Sequence, residues 1–150
     1  MSSRAPGPTP LFIDTGAFYA WYDDDDEQHD RAVAVFHGIQ TADLPYRPLY
    51  TSRYVLAELT RLILYRKGHA PARSALERIR TSSVFTVLSV SPEQFATACD
   101  EFARYDDQQI SLVDHISAVL AQEHDIEHVF AFDSDFATLG FTRVPGETNP

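Results

Sequence analysis

The chain has 150 residues, 44% of them hydrophobic, which is enough for one domain with its own core and too much for a disordered segment. Its formal charge of −10 argues against a surface that attracts nucleic acid at long range, and also suits a chain adapted to high salt. No apolar run approaches the roughly 18 residues of a membrane span. The opening MSSRAPGPTP lacks the apolar stretch of a secretion signal, and the lone Cys99 cannot close an intrachain disulfide; together these predict a cytoplasmic protein.

In chain order, residues 1–10 read as a loose proline-containing leader. LFID (11–14) reads as a short buried strand, followed by a small turn at Thr15-Gly16-Ala17. The run Asp23-Asp24-Asp25-Asp26-Glu27 lacks the alternation and turn glycine of a calcium loop. It predicts a solvated connection whose charge favours the N-terminus of the next helix, RAVAVFHGI (31–39). YRPLYT (46–51) is a second strand. Thr51 or Ser52 then caps the helix RYVLAELTRLILYRKG (53–68), which closes on Arg66, Lys67 and Gly68. PARSALERIR (71–80) is helical, VFTVLSV (84–90) is β-rich, and SPEQFATACDEFARY (91–105) opens with a serine–proline helix start. SLVDHISAVLAQEHD (111–125) is a helix, HVFAFD (128–133) a strand, FTRV (141–144) a last short strand, and 145–150 a frayed tail. Strands alternating with helices predict an α/β sandwich with a mostly parallel sheet. Sites in such sheets form beyond the carboxyl ends of the strands, where strand order reverses.

Acids at strand ends and on apolar helix faces therefore carry the argument. Asp14 ends the first strand, where it suits either a helix cap or a site with open backbone at Gly16 and Ala17. Glu58 shares a helix face with Val55 and Leu62, so it needs a partner, either Arg53 or Arg61 or a cation. Asp114 has Ser111, Ser117 and Ala118 at helical spacing, which permits close approach or simple solvation. Asp133 ends a strand and Asp135 follows in the turn, as turn formers or as ligands. Two carboxylates about 4 Å apart repel by roughly 4 kcal/mol at an effective dielectric near 20, so a converging set requires a cation or raised pKa values. Oxygen donors without histidine or cysteine at ligand spacing suit Mg²⁺ or Mn²⁺ rather than zinc. The six histidines (29, 37, 69, 115, 124, 128) form no HxxxH pattern and read as surface or helix-end residues.

FIDTGAFYA, YVLAEL, SLVDHISAVLAQEHDIEHVFAFDSDF and GFTRV, in that order and spacing, resemble the PIN-domain family, most closely its VapC-like ribonuclease toxins. The resemblance runs over residues 11–144 and implies a PIN-like three-layer α/β/α sandwich with four to five strands. It implies a Mg²⁺- or Mn²⁺-dependent endoribonuclease leaving 5′-phosphate and 3′-hydroxyl ends. Asp14, Glu58, Asp114 and Asp133 match the catalytic quartet, and Asp135 a more variable extra acid. Asp14, Asp114, Asp133 and Asp135 are the implied metal ligands, with Glu58 orienting or deprotonating the attacking water. Thr15 matches a small hydroxyl residue beside the first acid. Val113 departs from the threonine many relatives carry before the third acid, which removes a supporting hydroxyl. Arg53, Arg61, Arg66 and Lys67, in a basic stretch between 53 and 80, are candidates for RNA contact, or else pair with Glu58 and Glu77.

The resemblance also implies an RNA substrate, a small antitoxin and a homodimer, with no membrane role. Phe18, Tyr19, Trp21 and Tyr22 line either an antitoxin groove or the core. A standalone RNA-processing PIN nuclease and a non-cleaving PIN-like binder are the alternatives. A haloacid-dehalogenase-like phosphatase requires a second aspartate at position 16, which is glycine.

Overall fold

The computed structural model describes residues 7–146. The leader up to residue 6 and the tail from 147 lie outside the described residues; Thr9 and Pro10, placed in the leader by sequence, belong to the first strand. Five strands form one sheet: β1 (Thr9–Ile13), β2 (Tyr46–Ser52), β3 (Phe85–Leu88), β4 (His128–Phe130) and β5 (Thr142–Val144). Their order is β3-β2-β1-β4-β5 and every pairing is parallel. The helices are α1 (Thr15–Tyr22), α2 (His29–Gln40), α3 (Arg53–Lys67), α4 (His69–Thr81), α5 (Pro92–Arg104), α6 (Leu112–Glu123) and α7 (Asp135–Thr138).

Chain order and right-handed crossovers explain the layering. From β1 the chain steps outward to β2 and β3 through α1–α4, which places those helices on one face. From β3 it returns past β1 to β4 through α5 and α6, which must then cover the opposite face. The result is the expected three-layer α/β/α sandwich. Leu11, Phe12 and Ile13 are all fully buried, as a central strand covered on both sides requires. No described helix is long and apolar enough to cross a membrane.

Two helices were not foreseen. TGAFYAWY forms α1, in which Thr15, Ala17, Phe18, Tyr19 and Ala20 are buried. A helix buried over most of its circumference carries no polar stripe, so it has no 3.6-residue signature to read. The aromatics Phe18 and Tyr19 are core, and Trp21 and Tyr22 pack on its edge. α7 is a single turn, too short for periodicity.

Of the two proposed caps for α3, Ser52 is the one: its Oγ accepts the Val55 N–H at 3.2 Å. Ser52→Ala should lower stability by about 1 kcal/mol, a fall in Tm of about 3 °C by calorimetry, with no effect on metal binding. Thr51 instead donates its hydroxyl to the Ile13 carbonyl at 3.1 Å, joining the ends of β2 and β1.

The acidic run is a connection, as expected. Asp23 caps the C-terminus of α1, accepts the Tyr19 hydroxyl at 2.6 Å and pairs with Lys67 at 3.1 Å. Asp26 accepts the Gln28 N–H at 2.8 Å just before α2 begins.

Candidate metal centre

The sheet order reverses between β1 and β4, and the acids gather beyond those two carboxyl ends. Asp14 follows Ile13 directly. Its N–H donates to the Phe130 carbonyl at 3.0 Å, so the end of β1 is held against the end of β4. Asp14 occupies the N-cap position of α1 with extended backbone, yet its side chain makes no cap hydrogen bond. Its Oδ1 is buried without a hydrogen-bond partner. The Thr15 and Gly16 amides lie close enough to ease its charge, but the unpartnered oxygen means that a cap alone does not account for this residue.

Asp133 does not end β4; the strand stops at Phe130, and Asp133 lies three residues further along. After Ala131, whose N–H donates to Val144 at 3.1 Å, the ladder has no continuation. On one side the chain has turned into α1. On the other, no backbone bond to β5 follows that of Ala131 among the described residues. The freed chain turns, and Asp133 accepts the Asp135 N–H through Oδ1 at 3.0 Å. This Asx-turn is the bland role foreseen for Asp133, and it coexists with a place in the cluster.

Asp114 is in the first turn of α6, where Ser111 caps the helix by accepting the Asp114 N–H at 3.1 Å. It is only 7% exposed, so it is not a solvated helix residue. One carboxylate oxygen each from Asp114, Asp133 and Asp135 falls within 4.8 Å of the others. Asp14, 3% exposed, feels the charges of Asp133 and Glu58, and its charge in turn acts on Asp114. Glu58, half-buried on α3, forms no ion pair with Arg53 or Arg61. All five predicted acids thus meet in one electrostatic cluster.

The electrostatics follow from that convergence. Desolvation, then the Asp133 charge, pushes the Asp14 carboxyl up to about 7, against partial relief from the Thr15 amide. Desolvation and the Asp14 charge push Asp114 up to about 9. Even the favourable helix N-terminus does not offset this. Desolvation also raises Asp133, opposed by the Asp135 amide and by Arg143. Asp114, Asp133 and Asp135 present oxygens close enough together for a hard divalent cation, and Asp14, whose charge acts on Asp114, adds a buried acceptor without a donor.

Other expectations need revision. Gly16 is exposed, and a Cβ there would meet only Asp14 Oδ2, at 3.7 Å, so the approach to the acid is open. Ala17 is fully buried and contributes nothing to that opening. Val113 packs against the core. His115 is 1% exposed, with Phe102 and Tyr105 against its ring, so it is a core residue rather than a surface one.

Among the RNA-contact candidates, Lys67 is engaged by Asp23 and Asp25, and the Arg66 guanidinium lies 5.0 Å above the Tyr19 ring. Arg53 and Arg61 are exposed. Arg53 borders a groove of about 580 Å³ with Leu56, Ala57, Thr60 and Arg80. Two basic residues near the site were missed by sequence. Arg31 stacks 5.5 Å from the Phe132 ring, and Arg143 bonds the loop carrying Asp133. Each lies far along the chain from the basic stretch, and only a cation in an otherwise apolar short strand hinted at Arg143.

A carboxylate cluster at the switch point of a doubly wound parallel sheet defines an α/β domain with an acidic site. The PIN domain model matches residues 11–142, and the chain belongs to that family. It is 31% identical over 137 residues to the 23S rRNA-specific endonuclease VapC20 of Mycobacterium tuberculosis, covering 91% of this chain and 99% of that one. It is 30% identical over 131 residues to a VapC ribonuclease of Archaeoglobus fulgidus, covering 85% and 81%. The crystal structure of M. tuberculosis VapC20, a sarcin–ricin-loop-cleaving toxin, superposes with a TM-score of 0.78, covering 87% of this chain and 95% of that one. FitAcB from Neisseria gonorrhoeae, at 18% identity and a TM-score of 0.64 over 89% and 95% of the two chains, shares the fold.

Proposed function

We propose that this chain is a divalent-metal-dependent endoribonuclease that cuts structured RNA, ribosomal RNA foremost, as the toxin of a toxin–antitoxin pair. The observation that carries the proposal is the convergence of five carboxylates, two of them buried, at the switch point. The two VapC relatives, named as an rRNA endonuclease and a ribonuclease, support the substrate class.

Asp14 and Asp114 are the principal ligands for Mg²⁺ or Mn²⁺, and Asp133 after β4 and Asp135 at the start of α7 complete the set. When bound, the ion supplies a water of lowered pKa and a counter-charge for the scissile phosphate. Glu58 stands at the edge of the cluster, placed to orient that water or accept its proton. The open approach above Gly16 admits the phosphodiester. Because the chain carries −10 overall, local cations must guide the RNA; Arg53 and Arg61 are exposed for that role.

The test is cleavage of purified 23S rRNA and of total RNA with Mg²⁺ or Mn²⁺, with 5′ ends mapped by sequencing. Discrete cuts abolished by EDTA are expected. Cleavage indifferent to EDTA, or none across both RNAs, would overturn the proposal. Arg53→Ala and Arg61→Ala should each raise KM severalfold at unchanged kcat and flatten the salt dependence, read from initial rates between about 50 and 200 mM salt.

The toxin role requires a small antitoxin partner and a cytoplasmic site of action. A homodimer accords with an exposed aromatic face on which Tyr54 of α3 stacks with Phe95 of α5, ring centroids 6.1 Å apart.

A further inference from the structure

The five acids are not held equally well. Asp14 is fixed by the β1–β4 ladder, and Glu58 and Asp114 by helices with capping serines. Asp133 sits beyond the last ladder bond, in irregular chain after β4, and Asp135 opens the single-turn α7, which Phe136 anchors in the core. Their carboxylates are related to each other by the Asx-turn, in which the Asp135 N–H reaches Asp133 Oδ1. That turn fixes their mutual geometry but not its position relative to Asp114. A metal site needs the second relation as much as the first, since ligand distances must hold within a few tenths of an ångström.

Arg143 supplies the connection. It lies in β5, paired with Val129 of β4, so its backbone is part of the sheet. From there its Nη1 donates to two successive carbonyls, Phe132 at 3.1 Å and Asp133 at 2.9 Å. Both carbonyls lie past the last ladder bond, and the Arg143 side chain gives them a donor there. Its charge also bears directly on the Asp133 carboxylate. One guanidinium thus ties the irregular loop to the rigid sheet and places a positive charge behind the outermost acids. Arginine suits this double task, being always charged and able to reach backbone acceptors in a fixed planar geometry.

We infer that Arg143 is a positioning residue that holds the Asp133–Asp135 turn against Asp114 through its bonds to the Phe132 and Asp133 carbonyls, and thereby sets the affinity of the site for its divalent ion. This rests on the proposal that the acid cluster is a metal site. Arg143 touches neither substrate nor reacting atoms; it acts through the turn. A purely structural contribution to the β4–β5 edge would lower stability equally with and without metal.

The experiment is calorimetric titration of the full chain with Mn²⁺ alone, beside melting temperatures in EDTA and in Mn²⁺, for wild type, Arg143→Ala, Arg143→Gln and Arg143→Lys. Loss of such a supporting partner weakens metal affinity by roughly ten- to hundredfold in known sites. The alanine variant should show a rise in Kd of that order. The glutamine variant, which keeps a donor without the charge, should fall between. The lysine variant should stay within about threefold of wild type. The Mn²⁺ concentration for half-maximal RNA cleavage should shift in parallel, with kcat at saturating Mn²⁺ largely retained. Unchanged Mn²⁺ affinity in folded glutamine and alanine variants would overturn the inference, as would equal losses of melting temperature in EDTA and Mn²⁺. Should the alanine variant not fold, the lysine–glutamine comparison decides the matter by the same criterion. If wild type itself takes up no Mn²⁺ at millimolar concentration, the metal-site proposal fails and this inference fails with it. If wild type binds and the variants match it, the inference alone fails.

Discussion

Asp114→Asn should reduce RNA cleavage by roughly a thousandfold or more, about 4 kcal/mol in the barrier, while leaving the metal-free fold at least as stable. The two halves of this expectation come from one fact. Asp114 is buried at 7% exposure among carboxylates, and its charged form is opposed first by desolvation and then by Asp14. The charge is costly to the empty site and necessary to the loaded one. Asparagine keeps the shape and one oxygen, removes the charge, and so relieves the first while losing the second. Initial cleavage rates and melting curves in EDTA measure both. The rise in melting temperature on adding Mn²⁺ should shrink with the activity. A variant that melts several degrees lower in EDTA yet keeps the full Mn²⁺ shift would mean that Asp114 supports the helix rather than the ion.

In EDTA, stability should fall as pH rises, opposite to the trend of a protein held by ionised carboxylates. Asp14 and Asp114 titrate near 3.8 when unfolded and are raised to about 7 and about 9 in the fold. A group whose folded pKa is raised binds more protons in the native state, so its contribution is present below the unfolded pKa. It is lost as pH climbs through the folded value. The loss should therefore run from about pH 4 to about pH 9, the Asp14 part ending earlier. A fall of a few kcal/mol corresponds to about 5–10 °C in Tm for a chain of this size. Mn²⁺ should reverse it most strongly at high pH, where ions no longer compete with protons. Melting curves at pH 5, 7 and 9, with and without Mn²⁺, test this. A Tm in EDTA that rises from pH 5 to 9, or an Asp14→Asn, Asp114→Asn double variant with the same pH slope as wild type, would refute the convergence on which the site rests.

Much of this architecture could be read in the chain because its signals are local. Ser52 before RYVLAEL and Ser91-Pro92 before EQFATA announce helices through first-turn hydrogen bonding, and both caps form, the second as a full capping box with Gln94. LFI is uniformly apolar because a strand covered on both faces has no polar side. The acids stood out because they occupy positions where local physics disfavours them: Glu58 on an apolar stripe, Asp114 among small residues, Asp14 after three buried ones. What failed locally was whatever lacked a period, as in α1, whose TGAFYAWY is buried over most of its circumference. HVFAFD stays apolar beyond Phe130, yet β4 stops three residues short of Asp133, because the last ladder bond, Ala131 to Val144, depends on a partner strand that the local pattern does not show.

The sequence by itself determined the alternation of strands and helices, the parallel sheet, the family, and the acids that the fold brings together. Hydrophobic patterning and helix caps act over a few residues, and an acid in an apolar setting is visible wherever the chain goes. Only the tertiary structure decided what those acids do to one another. That one Asp14 oxygen is buried without a partner, that Asp135 joins Asp114 and Asp133 within 4.8 Å, and that Arg143 bonds the Phe132 and Asp133 carbonyls are consequences of strand order. Charges interact through space, and which charges share that space is set by where the crossovers return the chain.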